Sequence, residues 1–353
     1  MAATCTPVEA GTSSAASSAD FSLFLGSVDP DLFFTEHWER RSLHIRHDDP
    51  RRFAHLISPE SLFETEVKRC QHLKASTRGA DGWNVEIKIQ PEQAPKLYRA
   101  GMTICASVLD EHGPIGEVVR AYRSGITTAA PPHVNCYYSP DARGYGLHFD
   151  THPVWILQVA GSKHWTVGCE PAAVNPRFNV VFPPDRDRVK LPWITLDRPD
   201  VTDRERFMDV QLNPGDVLYM PAGAWHAARA EGSSLALTVA LGRIATLDLF
   251  NFIMSRTIEQ HMRDVTSRLP PVPKSGLADC SSARTDLTAR ADADLARLKA
   301  LVQRISVDDL MKVYEIYAEH PEALIAERQC ITAKEQVQWM KAAYAATDDG
   351  GRT

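Results

Sequence analysis

The chain has 353 residues, 44% of them apolar and 24% charged, with a formal net charge of −6. That supplies enough apolar material for a core, and the length predicts two structural units rather than one or three. The acidic balance, without a dense Lys/Arg run, argues against a protein that lives on a nucleic-acid backbone, and seven dispersed cysteines with no CxxC pair argue against a zinc knuckle or redox dithiol.

Residues 1–20 are rich in Ala, Ser and Thr and lack the basic start and apolar core of a signal peptide, so they are expected to be a disordered leader. No apolar run approaches the ~18 residues needed to cross a bilayer. The scattered thiols suit a reducing interior, and a cytoplasmic location is the expectation.

Order is expected from Phe21, with residues 21–245 forming one domain. Asp29 can cap a helix over 29–38 with Pro30 at its first position, and Leu32, Phe33 and Trp38 form its expected buried stripe. Residues 41–46 alternate and read as an edge strand. Short helices are expected at 58–66 and 91–101, with a strand at 83–89 between them.

From about 133 to 241 short β-type runs recur, at 133–138, 146–150, 153–160, 163–168, 193–196, 207–212, 216–220 and 235–241. Gly161-Ser162 reads as a two-residue hairpin connection, and Asn213-Pro214-Gly215-Asp216 as a turn. Many short strands with Gly/Pro/Asn punctuation predict a sandwich or barrel, jelly rolls included. Beyond Gly242 the pattern turns helical, with helices expected at 246–264, 287–305, 307–319 and 332–345. Residues 246–346 are therefore expected as a helical domain that could dimerise, and 347–353 as a fraying tail.

The chemistry gathers around Leu147-His148-Phe149-Asp150. Residues i and i+2 of a strand share a face, so His148 and Asp150 aim an imidazole and a carboxylate at one point. His226, which follows a strand and a tight turn, is the best candidate for a third ligand. Two histidines and one carboxylate on one face leave three coordination positions open, the arrangement of non-haem Fe(II) oxygenases.

An HxD triplet alone is a weak sign; its surroundings make it specific. GLHFDTHPVWILQVAGSKHWTV, followed by NPGDVLYMPAGAWHAARA, resembles the JmjC or cupin-4 branch of oxygenases, which includes ribosomal-protein hydroxylases. The resemblance covers about residues 21–260 and extends to Leu32–Ile45, where Ser42 stands in place of the usual Pro.

The resemblance implies a double-stranded β-helix (jelly-roll) barrel with helices before it and a helical region after it. It implies Fe(II) held by His148, Asp150 and His226, with 2-oxoglutarate and O2 as co-substrates. Lys163 would pair with the distal carboxylate of 2-oxoglutarate, as a dicarboxylate chelated at one end requires of a cation deeper in the site. Asn135, Tyr137 and Thr238 match further co-substrate-binding positions; each also reads as a barrel-lining hydrogen-bonder. His152 reads as a group near the site or facing substrate, His164 as outward, His133 as structural. Trp155, Trp165, Trp193 and Trp225 read as barrel packing.

The implied reaction is hydroxylation of an aliphatic C–H in a peptide, protein or amino-acid-derived substrate. No membrane or nucleic-acid partner is expected, and the helices at 246–264 and 287–305 read either as a homodimer interface or as packing against the barrel. The segment after Leu241 shows no two-stranded wing of the kind that ribosomal oxygenases of this branch carry. Two other readings stay open: a metal-dependent cupin enzyme without 2-oxoglutarate, and a non-catalytic binding barrel.

Overall fold

The computed structural model describes residues 8–10, 20–78, 84–107, 109, 113–126, 132–176, 178–182, 184–190, 194–241 and 302–319, with isolated positions between 250 and 300. The chain divides into a first unit ending at Gly242, apart from residues 128–130, and a second unit from Arg243. Among the described residues no helix is long and apolar enough to cross a membrane.

Fourteen strands are described: β1 (Val8–Ala10), β2 (Leu43–His47), β3 (His72–Arg78), β4 (Asn84–Lys88), β5 (Thr103–Ser107), β6 (Pro132–Ser139), β7 (His148–Phe149), β8 (Val154–Pro171), β9 (Val180–Val181), β10 (Arg188–Lys190), β11 (Thr195–Asp197), β12 (Phe207–Leu212), β13 (Val217–Met220) and β14 (Ala224–Leu241). Twelve of them form one continuous pairing in the order β1-β2-β13-β8-β14-β6-β5-β3-β4, with β12 on β8 and β7 and β9 beyond β14; β10 and β11 form a separate hairpin. This is the jelly-roll architecture, and its two longest strands, β8 and β14, are its axis.

These two strands pair along nearly their whole length. The first half of β8 also pairs with β13 and its second half with β12, so each half belongs to a different layer. Gly161-Ser162 is therefore not a hairpin turn: it lies inside β8, where the strand bends. The bend has a register cost. From Leu235↔Ala160 to Ala236↔Gln158, one step of β14 spans two of β8, a one-residue bulge that leaves Val159 as the extra residue of β8. The bulge switches which residues of β8 face inward: Val154 and Ile156 before it, Lys163 and Trp165 after it. Gly161 takes φ 61°, and a Cβ there would lie 1.7 Å from the Ser233 carbonyl oxygen, so this close approach accepts only glycine.

The opposite face of the first half of β8 is packed by the N-terminal segments. Val154 to Val159 are all buried, the continuous apolar run of a strand covered on both faces. Fully buried Trp155 meets the rings of Phe21, Phe24, Phe33 and Tyr219 at centroid distances of 5.7, 5.2, 5.0 and 4.7 Å. Asp29 does cap the helix that presents Phe33, accepting from the Asp31 and Leu32 amides at 2.7 and 3.2 Å. The expected stripe needs correction: the helix widens to a π turn at Phe33–His37, which buries Phe33 and leaves Leu32 exposed.

Other differences have equally local causes. β2, expected at an edge, lies between β1 and β13, and its Leu43, His44 and Ile45 are buried. Val8–Ala10, inside the expected leader, supplies β1, which pairs in parallel with β2. Ser42 donates from its hydroxyl to the Gly168 carbonyl at 2.8 Å and from its amide to Cys169 at 2.9 Å, and proline could offer neither bond. Buried Asp216, at the expected 213–216 turn, accepts from the His47 and Asn213 amides at 3.0 Å each and contacts His44 Nε2 at 3.2 Å, tying that turn to β2.

The helices at 58–66 and 91–101 are present as Pro59–Arg69 and Pro91–Arg99 segments, and that at 307–319 as Val307–Glu319. The helix expected at 332–345 lies outside the described residues, as do Trp83 and Trp193. Of 246–264 and 287–305 only scattered helical positions, the short stretch 298–300, and the chain from 302 onward are described, so the dimerisation surface expected there also lies outside them.

Gly161→Ala should lower the free energy of unfolding by ~2 kcal/mol or more, the left-handed backbone penalty plus the clash with Ser233. Urea denaturation measures this, and an unshifted midpoint would show that β8 and β14 approach each other differently.

Candidate metal centre and its cavity

A cavity of about 580 Å³ lies between the two layers. His148, on β7, pairs directly with His226, on β14, and their ring centres are 4.1 Å apart. β7 is only two residues long, so Asp150 sits just past its end. The Gly223 amide holds it there, donating to the Asp150 carbonyl at 2.9 Å. Gly223 has φ 81°, and a Cβ would fall 2.0 Å from the Ala173 carbonyl oxygen, so the turn before His226 needs glycine to reach Asp150.

One ligand atom from each of His148, Asp150 and His226 lies within 4.8 Å of the other two, and His226 Nε2 is 3.7 Å from Asp150 Oδ2. Two ligands on one metal at bonds of ~2.1 Å stand no more than ~4.2 Å apart, so a small closure brings the three atoms to one ion. Both histidines are oriented by their own strands: Nδ1 of His148 lies 2.7 Å from the Gly146 carbonyl, and Nδ1 of His226 lies 3.0 Å from the Ala224 carbonyl. A carbonyl accepts only, so each Nδ1 carries the proton and each Nε2 presents a lone pair to the centre. Burial, with the His148 imidazole beside it, holds His226 at about 4, so its ring is neutral at pH 7. The donor set fits a divalent metal with three open positions.

Lys163 lines the same cavity and is 3% exposed. Its Nζ donates to Ser139 Oγ at 3.2 Å, and that hydroxyl also contacts Thr103 Oγ1 at 3.2 Å. Desolvation pulls its pKa down to about 8, and no described carboxylate is among the groups acting on it. Tyr137 and Thr238 line the cavity too. Asn135 is the cross-strand partner of Thr238 but is not part of the lining.

His152 is outside the lining as well, although its charge reaches His226. His164 faces outward, 3.8 Å from Asp209. Trp225 packs behind the site on Phe149 and Phe182, at 4.6 and 5.6 Å. Trp165, expected as packing, is a cavity residue: its ring lies 6.0 Å from Lys163 Nζ and 6.1 Å from the His226 ring, and its buried Nε1 has no hydrogen-bond partner. Its place two residues after Lys163 was the available signal. Glu86, at the cavity mouth, accepts from Tyr145 Oη and Lys74 Nζ at 3.0 Å each. Nothing local in the sequence announced that contact, because β4 arrives there only through the sheet order.

Residues 117–249 match the family model of the JmjC domain. The chain is 26% identical over 226 residues to ribosomal oxygenase 2 of Bos taurus, covering 59% of this chain and 44% of that protein. It is 24% identical over 347 residues to the bifunctional lysine-specific demethylase and histidyl-hydroxylase NO66 of Drosophila willistoni, covering 86% and 41%. The chain thus spans less than half the length of these relatives. Its fold is similar to that of YcfD of Escherichia coli, with a TM-score of 0.52 at 16% identity over 82% of this chain and 71% of that one. YcfD, a ribosomal oxygenase, has also been solved in complex with cobalt and 2-oxoglutarate.

Lys163 makes a prediction about stability. Its folded pKa, about 8, lies below the ~10.4 of an unfolded lysine, so the unfolded chain binds the extra proton between those values. Stability from this group should rise with pH from about 8 to 10.5 and be lowest, by ~3 kcal/mol, below pH 8. Lys163→Met should therefore be more stable than the parent at pH 7 and lack the alkaline rise. Urea unfolding at pH 7 and pH 9.5 measures both, and equal stabilities at pH 7 would contradict the burial of an uncompensated ammonium.

Proposed function

We propose, on the premise that residues 117–249 form a JmjC domain, that the chain is an Fe(II)- and 2-oxoglutarate-dependent oxygenase hydroxylating an aliphatic C–H of an amino-acid side chain, in a peptide or protein. The observation that carries this reading is one cavity with a two-histidine, one-carboxylate cluster and a buried lysine that no described carboxylate acts on. The fold shared with YcfD, solved with cobalt and 2-oxoglutarate, supports it, and the names of the curated relatives favour a protein substrate.

When bound, iron and the keto acid supply the oxidising chemistry, with O2 as the second co-substrate. The chain's own residues bind, orient and exclude water. His148, Asp150 and His226 would hold the metal on one face, and the proton on each Nδ1 stays with the backbone carbonyl beside it. Lys163 would grip the distal carboxylate, relieving the cost of its own burial, with Thr238 and the unpartnered Nε1 of Trp165 as further donors from the same lining. Val154, Ile156, Met220 and Ala236 wall the cavity with apolar surface that keeps water from competing. A carboxylate at position 150 takes the coordination site a halide would need, so hydroxylation is the outcome rather than halogenation.

An anaerobic titration of Fe(II)-loaded protein with 2-oxoglutarate should produce the weak visible charge-transfer band of a chelated open iron site. Asp150→Ala and His226→Ala should lose the band and succinate formation together. Lys163→Ala should keep iron but need ~30-fold or more 2-oxoglutarate, the ~2–5 kcal/mol expected for losing one partner of a buried charge pair. A band that survives Asp150→Ala at full intensity would refute the ligand assignment.

A further inference from the structure

Lys163 brings its charge into the cavity on a long, unbranched stem, a side chain with many rotamers to choose from. Among the described residues its Nζ has one hydrogen-bond partner, the Ser139 hydroxyl at 3.2 Å. An ammonium can only donate, so Ser139 Oγ turns a lone pair toward it. Thr103 Oγ1 donates to the same oxygen at 3.2 Å and braces that hydroxyl.

Sheet register explains why these groups meet. Ser139 ends β6 opposite Ser234 of β14, Thr103 of β5 stands opposite Ser76 of β3, and Ile104 stands opposite Tyr138. Thr103 and Ser139 are therefore the next pair along the β5–β6 ladder, and directly opposite residues share a face. A row of small hydroxyls thus crosses four strands, with Ser76, Thr103, Ser139 and Ser234 all at 3% exposure or less. Buried hydroxyls cost folding free energy unless they are bonded, so packing alone does not call for them here. Ser234 accepts from Gln158 Nε2 at 2.9 Å. Ser139 is the member of the row that meets the ammonium.

The neutrality of that partner matters. A carboxylate at position 139 would pair with Lys163 permanently and compete with any anion entering the cavity. A hydroxyl fixes Nζ in place and leaves its charge available.

We propose that Ser139, braced by Thr103, is a positioning residue that pins Lys163 Nζ at one depth and so sets the length of keto diacid the cavity accepts. The proposal rests on the oxygenase reading above and deepens it. His148, Asp150 and His226 would fix one end of the co-substrate, and the pinned ammonium the other. A diacid with one methylene too many then fails to satisfy both ends together. An unpinned lysine would swing its ammonium to meet it.

Anaerobic titration of the Fe(II)-loaded protein, followed by the visible band and by calorimetry, compares 2-oxoglutarate with 2-oxoadipate, its homologue longer by one methylene. The parent should bind 2-oxoglutarate ~10-fold or more tightly than 2-oxoadipate. Ser139→Ala should weaken 2-oxoglutarate binding ~10-fold and shrink that preference to ~3-fold or less, with iron still bound. Thr103→Val should shift both values in the same direction by a smaller factor, and Thr103→Ser, which keeps the hydroxyl, should match the parent. A parent with no preference for 2-oxoglutarate would overturn the proposal. So would Ser139→Ala and Thr103→Val variants that keep the parent's preference, because a merely structural loss weakens both acids alike. A parent that gives no band with either acid would instead refute the oxygenase reading, so the two failures are told apart.

Discussion

The pairing of β8 with β14 is the constraint on which everything else depends. These strands run through both layers of the barrel and bend together, and the one-residue bulge at the bend decides which side chains of β8 face the cavity. Without it, inward positions would stay even-numbered, His164 would point inward, and Lys163 would stand outside. The position of the ammonium thus follows from a register shift, and that shift is possible because Gly161 lets the two backbones close. Sheet pairing of this kind specifies faces strictly, since a slip of one residue exchanges them.

How much of this was legible in the sequence depends on the range of each signal. The i, i+2 spacing of His148 and Asp150 is local, and the structure brings both together with His226. Most strands from 133 to 241 were also readable, because alternation and turn residues are short-range features. The Gly161-Ser162 bend was misread as a hairpin for a physical reason: a Gly-Ser step between two apolar runs carries the same chemistry whether the chain reverses or only kinks. Which of these occurs is decided by the partners of each half, β13 and β12, and these lie about 50 residues downstream. The exposure of Leu32 was hidden similarly, since a π turn shifts the phase of a helix without any mark in composition.

The site is held together against its own energetics. The buried Lys163 ammonium costs folding free energy, and no described counter-charge restores its ordinary pKa. The aromatic layer on the other side of β8, with Trp155 at its centre, supplies the compensating packing. Stability and chemistry are thus separated across the thickness of one strand: odd residues of its first half secure the fold, while even ones wall the cavity. Such segregation lets the cavity face carry groups that would be unfavourable in a core.

Both metal-facing histidines take their orientation from a carbonyl two residues earlier on their own strand, at Gly146 and Ala224. Main-chain acceptors cannot be altered by substituting a side chain, so the tautomer of each ring is insulated from most single-nucleotide change around it. Drift in the neighbouring sequence would alter cavity shape and charge long before it disturbed the imidazoles. A lineage built on this barrel could accordingly explore new substrates while its reaction centre stayed fixed.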